Sequence, residues 1–152
     1  MRVLFGLTEI EDDDTVALSD VRVKQGKSYL QPSVIYLPDK NQQYTLIMYD
    51  PDVDFPEILH WMVTNIPEDK IDKGLVIMPF APSNPHDDKP HRYIFVLYKQ
   101  SHEIEPSDIL DRKGFNHKKF QEDNELKEVE TFTYHTENPQ VLRGKRYKVF
   151  YE

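Results

Sequence analysis

Short apolar runs that stop at proline constrain this chain more than any other feature. Residues 3–7, 33–37, 44–49, 60–66 and 93–98 are each rich in β-branched or aromatic side chains and bounded by turn formers. Pro38, Pro51 and Pro67 follow three of these runs within two residues, and Pro79 follows a further apolar stretch. Proline cannot donate to a β-ladder, so these positions mark strand ends rather than interiors. YTLIMY, WMVTNI and YIFVLY are nearly continuous apolar segments too short for a core helix, and they predict central strands covered on both faces. RYKVFY at 146–151 alternates basic with apolar residues; it predicts a half-buried strand, with a terminal helix as the alternative.

The stretch PFAPSNPHDDKP at 79–90 has neither helical nor strand period. At that length a connection in a compact domain is usually functional or disordered. One helix is signalled. Asn116 is a good N-cap for HKKFQEDNELKE at 117–128, and Phe115 can pack on Phe120 as a hydrophobic staple, although Lys119 at the third position rules out a capping box. The acidic run at 9–14 reads as a solvated loop. No repeat, low-complexity tract or linker divides the chain, so residues 1–152 are expected to form a single domain.

Charge narrows the classes of partner. A formal net charge of -8 gives a field that repels nucleic acid and the anionic cytoplasmic leaflet, so nucleic acid is not an expected partner. An aromatic share of 12% is too high for a disordered chain. The absence of cysteine excludes a disulfide framework and thiolate chemistry and suits a reducing compartment. No run reaches the roughly 18 apolar residues of a membrane span, and MRVLFGLTEIEDDD does not resemble a signal peptide, which leaves the cytoplasm as the expected location.

Individual motifs for chemistry fail one by one. Asp50, Asp52 and Asp54 have the spacing that begins a calcium-binding EF loop, but the glycine and glutamate that such a loop requires are Phe55 and Trp61 here. A two-carboxylate magnesium site lacks a phosphate-cradling Gly-rich loop, so no metal or cofactor is expected. His86 and His91 lie in a proline-broken loop rather than on a helix, so they form no zincin face. There is no G-x-S-x-G elbow, and no serine sits on a strand-to-helix turn beside a base. The chain is therefore expected not to be an enzyme; the alternative is a hydrolase using Asp50 with His60 or His91 as general base.

A constellation survives. Asp50 ends one predicted strand, His60-Trp61 begin the next, and His91-Arg92-Tyr93 begin a third. If the three are antiparallel neighbours, that end and those two starts share one rim of the sheet, with the 79–90 loop across it.

In order, YDPDVD, LHWMVTNIP, FAPSNP and HRYIFVLYKQ resemble the phosphatidylethanolamine-binding protein family, which includes Raf kinase inhibitor proteins and plant flowering regulators. The resemblance runs from about Pro32 to Leu126 and includes PSVIY and GFNHKKF. It implies a mainly β fold with minor α: a large central antiparallel sheet, a second smaller sheet and one or two peripheral helices. It also implies a small pocket for phosphate, a phosphorylated side chain or a phospholipid head group. Asp50, Asp52, His60, His91 and Tyr93 would line or support that pocket, with Ala81 and Pro82 forming a loop wall whose backbone N–H faces the anion. Trp61 matches a family aromatic that also suits the core. A regulatory role in protein interactions follows from the resemblance, with a kinase or other signalling protein as partner and a monomer or weak dimer as the expected state. The further alternative is an interaction protein whose partner surface lies outside the pocket.

Departures from the family pattern are also legible. Asp54 stands where the family places a second proline, which removes the cis bond of that motif. The segment between Asp52 and His60 is short, and Ala81 and Asp87 replace usual glycines, with Asp87 and Asp88 near the entrance. The short C-terminus is expected to lack the helix that often flanks the pocket, with Tyr151 supplying its aromatic. In such a pocket each imidazolium would be held by a carboxylate while its other N–H faced the ligand, and affinity would weaken as pH rises through the histidine pKa values.

Overall fold

The computed structural model describes residues 1–106, 109 and 111–139 of the 152. The expected strand at 146–151 and Tyr151 lie outside the described residues. In chain order the elements are β1 (Arg2–Phe5), β2 (Thr8–Ile10), β3 (Asp14–Thr15), α1 (Leu18–Val21), β4 (Lys24–Gln25), β5 (Ser28–Tyr29) and β6 (Ser33–Ile35). They continue with β7 (Gln43–Asp50), β8 (Ile58–Pro67), a 3-10 turn at Ile71–Lys73, β9 (Leu75–Met78), β10 (His91–Lys99), α2 (His117–Asp123) and β11 (Lys127–Thr136).

The three apolar runs that stop at rim residues become β7, β8 and β10, the middle of a six-stranded sheet ordered β3-β11-β10-β7-β8-β9. Side-chain alternation explains why they are apolar throughout. On β7, Tyr44, Leu46 and Met48 face one core with Val3, Phe5 and Val34 of the three-stranded sheet β2-β1-β6. Ile47 and Tyr49 face a second core with Val96, Tyr98, Phe115 and Leu126. Burial on both faces removes the need for a polar side, so the predicted central strands are found as expected.

Three expectations change. The helix ends at Asp123 rather than continuing to 128. Asn116 caps it by accepting from the Lys119 amide at 3.0 Å, and Phe115 packs on Phe120 at 6.1 Å between ring centroids. Asn124 then closes it, its side chain donating to the Phe120 carbonyl, and Glu125 turns the chain with φ of 51°. Beyond that turn Phe132, Tyr134 and Thr136 alternate with more exposed residues, giving β11, a strand hidden by the helical composition before it.

The acidic run, in turn, is not merely a solvated loop. Asp14–Thr15 pairs with β11 in parallel, which makes the large sheet mixed rather than wholly antiparallel. The Asp12 carboxylate accepts from the Thr133 amide and the Asp13 carboxylate lies 3.0 Å from His135 Nε2, so acidic side chains satisfy donors along β11.

Gly74, after the 3-10 turn, sits where a Cβ would lie 2.6 Å from a Val63 methyl and 2.9 Å from the Thr64 carbonyl oxygen. Gly74→Ala is expected to cost about 1–3 kcal/mol through overpacking. Urea unfolding measures it, and an unchanged midpoint would contradict the close approach.

Candidate functional site

The antiparallel order β10-β7-β8 brings the end of β7 beside the starts of both neighbours. Asp50, His60 and His91 thereby reach one rim and line a cavity of about 280 Å³ together with Ala81 and Pro82. Five of the residues expected at the pocket are thus brought together. Tyr93 is wholly buried beneath them, edge-on to His60 at 5.2 Å and stacked on Tyr134 at 5.4 Å. Its hydroxyl accepts from the Asn84 amide at 3.2 Å, so it supports the loop; burial pushes its pKa far up and keeps it a neutral phenol.

Asp52 and Asp54 do not converge on the cavity with Asp50. Asp52 turns outward and takes a bidentate pair from Arg92, at 3.0 Å to Nε and 2.9 Å to Nη2. That guanidinium holds the Asp52 carboxyl below its ordinary range. Asp54 is exposed.

His60 owes its position to a β-bulge. Met48 pairs with Trp61 and the next residue, Tyr49, pairs with Leu59, so His60 is the extra residue with no partner on β7. A bulge interrupts the ladder and re-aims a side chain. It also lets Leu59 join one core and Trp61 the other, although both are odd-numbered. The His60 carbonyl accepts from the Ala81 amide at 2.8 Å and from Arg112 Nη1 at 2.9 Å. Its Nδ1 lies 2.9 Å from the Ala81 carbonyl, which can only accept, so Nδ1 carries the hydrogen. Burial lowers the pKa of this imidazole, so the neutral form is favoured and Nε2 is left as an acceptor.

His91 is held differently. Nδ1 lies 2.7 Å from Asp50 Oδ2 and Nε2 lies 2.8 Å from Asp87 Oδ1. Two carboxylate acceptors call for N–H groups on both nitrogens. Burial alone lowers its pKa, but the pairings with Asp50 and Asp87 outweigh burial and raise it, so the imidazolium is favoured. The other oxygen of Asp50 accepts from the Asp52 amide at 2.7 Å.

These contacts correct the expected arrangement of donors. The Ala81 N–H is engaged by His60, Pro82 has none, His60 is held by a carbonyl rather than a carboxylate, and the second N–H of His91 is covered by Asp87. The 79–90 loop itself is pinned along its length. Arg112 donates to the Pro79 carbonyl, the Ser83 hydroxyl lies 2.5 Å from that of Tyr134, and the Ser83 carbonyl accepts from Arg22.

His86, set aside above as half of a zincin face, also lines the cavity, as do Arg22 and Tyr29, which no motif announces. Arg22 caps the C-terminus of α1 and Tyr29 ends β5, a segment that carries no residue pattern beyond turn chemistry around Gly26.

The architecture is thus a β-sandwich with a small cavity at the rim of its larger sheet. The family model described as phosphatidylethanolamine-binding protein matches residues 8–138. The chain belongs to the phosphatidylethanolamine-binding protein family. Among known proteins it is 42% identical over 79 residues to a 26 kDa secreted antigen of Toxocara canis, covering 46% of this chain and 29% of that one. It is 40% identical over 96 residues to CEN-like protein 4 of Nicotiana tabacum, covering 58% and 54%. The match thus spans about half or less of the length of these relatives.

Solved structures share the fold. A carboxypeptidase Y inhibitor complexed with its cognate proteinase superposes with a TM-score of 0.72 at 20% identity, over 90% of this chain and 82% of that one. A phosphatidylethanolamine-binding protein from Plasmodium vivax gives 0.68 at 17% identity, over 90% and 84%.

Proposed function

We propose that this chain binds a small anion: phosphate, a phosphorylated side chain or a phospholipid head group. The observation that carries the reading is the rim cavity, where residues from β7, β8, β10 and the 79–90 loop converge around the Asp50–His91 pair. At about 280 Å³ it lies at the small end of ligand pockets, which suits a head group rather than an extended substrate. The acceptor Nε2 of His60 and the carboxylates flanking His91 favour a ligand that also carries a hydrogen-bond donor, such as the ammonium of phosphorylethanolamine.

Binding rather than hydrolysis fits the groups present. The Ser83 hydroxyl is buried against Tyr134, and His60 and His91 are each fixed by neighbours instead of being aimed at a nucleophile. A regulatory role in protein interactions, such as kinase signalling, extends the reading, with a monomer or weak dimer as the working state. Absence of cysteine suits the cytoplasm as its location.

An NMR titration with O-phosphorylethanolamine tests the reading. The expected result is saturable shifts of amide and imidazole signals at His60, Ala81 and His91. Unperturbed signals at all three, with millimolar ligand, would overturn it.

A further inference from the structure

Resting on the anion-binding reading above, we infer that Arg22 is the residue that grips the anion, in place of the two histidines and the loop amides. Each of the other expected donors is engaged. His60 Nδ1 faces the Ala81 carbonyl, the Ala81 amide faces the His60 carbonyl, and Pro82 has no N–H. His91 lies between Asp50 and Asp87, so its charge is more than matched by two carboxylates. An incoming oxyanion at His91 would meet the Asp87 oxygen where a donor is needed.

Arg22 lines the same cavity and brings a guanidinium cation to it. Its guanidinium carbon lies 4.4 Å from the centroid of the Tyr29 ring, and Nη1 donates to the Ser83 carbonyl at 2.9 Å. Stacking on an aromatic face and one backbone acceptor fix the plane of the fork. Four further N–H donors remain on a guanidinium that has used one, enough for the bidentate recognition of a phosphate-type oxyanion. Tyr29 lines the cavity too, so the fork and its stacking partner stand together at the wall. Asp50, which lines the cavity, and Asp87, which covers His91, repel a bare anion and complement the cationic end of a zwitterion. The pocket is therefore polarised, with the anionic end of the ligand at Arg22 and the cationic end towards His91 and its carboxylates.

The test is isothermal titration calorimetry of the full chain with inorganic sulfate, whose charge is constant across the range, and with O-phosphorylethanolamine. Wild type, Arg22→Gln and Arg22→Lys are compared at pH 6.5, 7.5 and 8.5, after circular dichroism has established that each is folded. The expected result is a loss of about tenfold or more in affinity for both ligands in Arg22→Gln, the scale of a charge-assisted hydrogen-bonded contact. Arg22→Lys, which keeps the charge without the fork, is expected to lose less, and if Arg22→Gln does not fold this variant alone must still weaken binding about threefold. Sulfate affinity of the wild type is expected to stay within about threefold over that pH range, because arginine does not titrate there. Affinity within twofold of wild type in the Arg22 variants, or a tenfold decline of sulfate affinity with rising pH, overturns the assignment to Arg22 and leaves the pocket as an anion site held by its histidines. Absence of any binding by the wild type removes the anion-binding reading itself.

Discussion

Asp50→Ala is expected to destabilise the fold by about 3 kcal/mol at pH 6, at the lower end of the cost of removing one partner from a buried ion pair. Asp50 is 2% exposed, and its two oxygens hold His91 Nδ1 and the Asp52 amide. The Asp87 carboxylate stays on the other nitrogen of His91, which is why the lower end applies.

The pH dependence has a definite sign. His91 has a raised folded-state pKa, so the stability that its charge contributes is fully present below the unfolded value of about 6.5 and is lost as pH rises through the folded value. The difference between wild type and Asp50→Ala is therefore expected to narrow from pH 6 to pH 9. Denaturant unfolding across that range checks it. A difference below about 1 kcal/mol at pH 6, or one that widens with pH, would show that the pair is not a stabilising ion pair.

Trp61→Ala is expected to cost more, about 3–5 kcal/mol, as for a large aromatic removed from a packed core. Trp61 is 1% exposed and meets Phe80 edge-on at 5.7 Å, with Val63 and Phe95 in the same core. Its place there depends on the His60 bulge, because without the extra residue the side chains beyond it would face the opposite core. Phe80 precedes Ala81, so the same cavity loosens the wall of the ligand pocket. Unfolding must be followed by circular dichroism, since Trp61 is the sole tryptophan in the sequence. Trp61→Phe, which refills part of the volume, is expected to recover more than half of the loss. A Trp61→Ala variant less than about 1.5 kcal/mol below wild type would place the side chain outside the core.

Sequence alone determined the strands that carry the site. The runs at 44–49, 60–66 and 93–98 are apolar on both faces because the sheet is covered on both; Asp50-Pro51 ends the first where the rim begins, and His60 and His91 open the other two there. From those ends Asp50, His60 and His91 could be placed at one rim by antiparallel order alone. Local pattern was weaker where two signals overlapped. The helical composition of 117–128 masked the alternation of β11, and the acidic character of 9–14 masked its pairing with that strand.

Tertiary structure decided which polar groups meet and which are left to face a ligand. Hydrogen-bond partners depend on distances between segments far apart in the chain. Asp87 reaches His91 only because the loop is folded back, and Ala81 faces His60 only because a bulge turns that residue out of the ladder. Arg22 was illegible for the same reason. It lies 28 positions before Asp50, at the C-terminal end of α1 and ahead of the β4–β5 hairpin, with no motif, and only the packing of that segment against the rim makes its guanidinium part of the cavity.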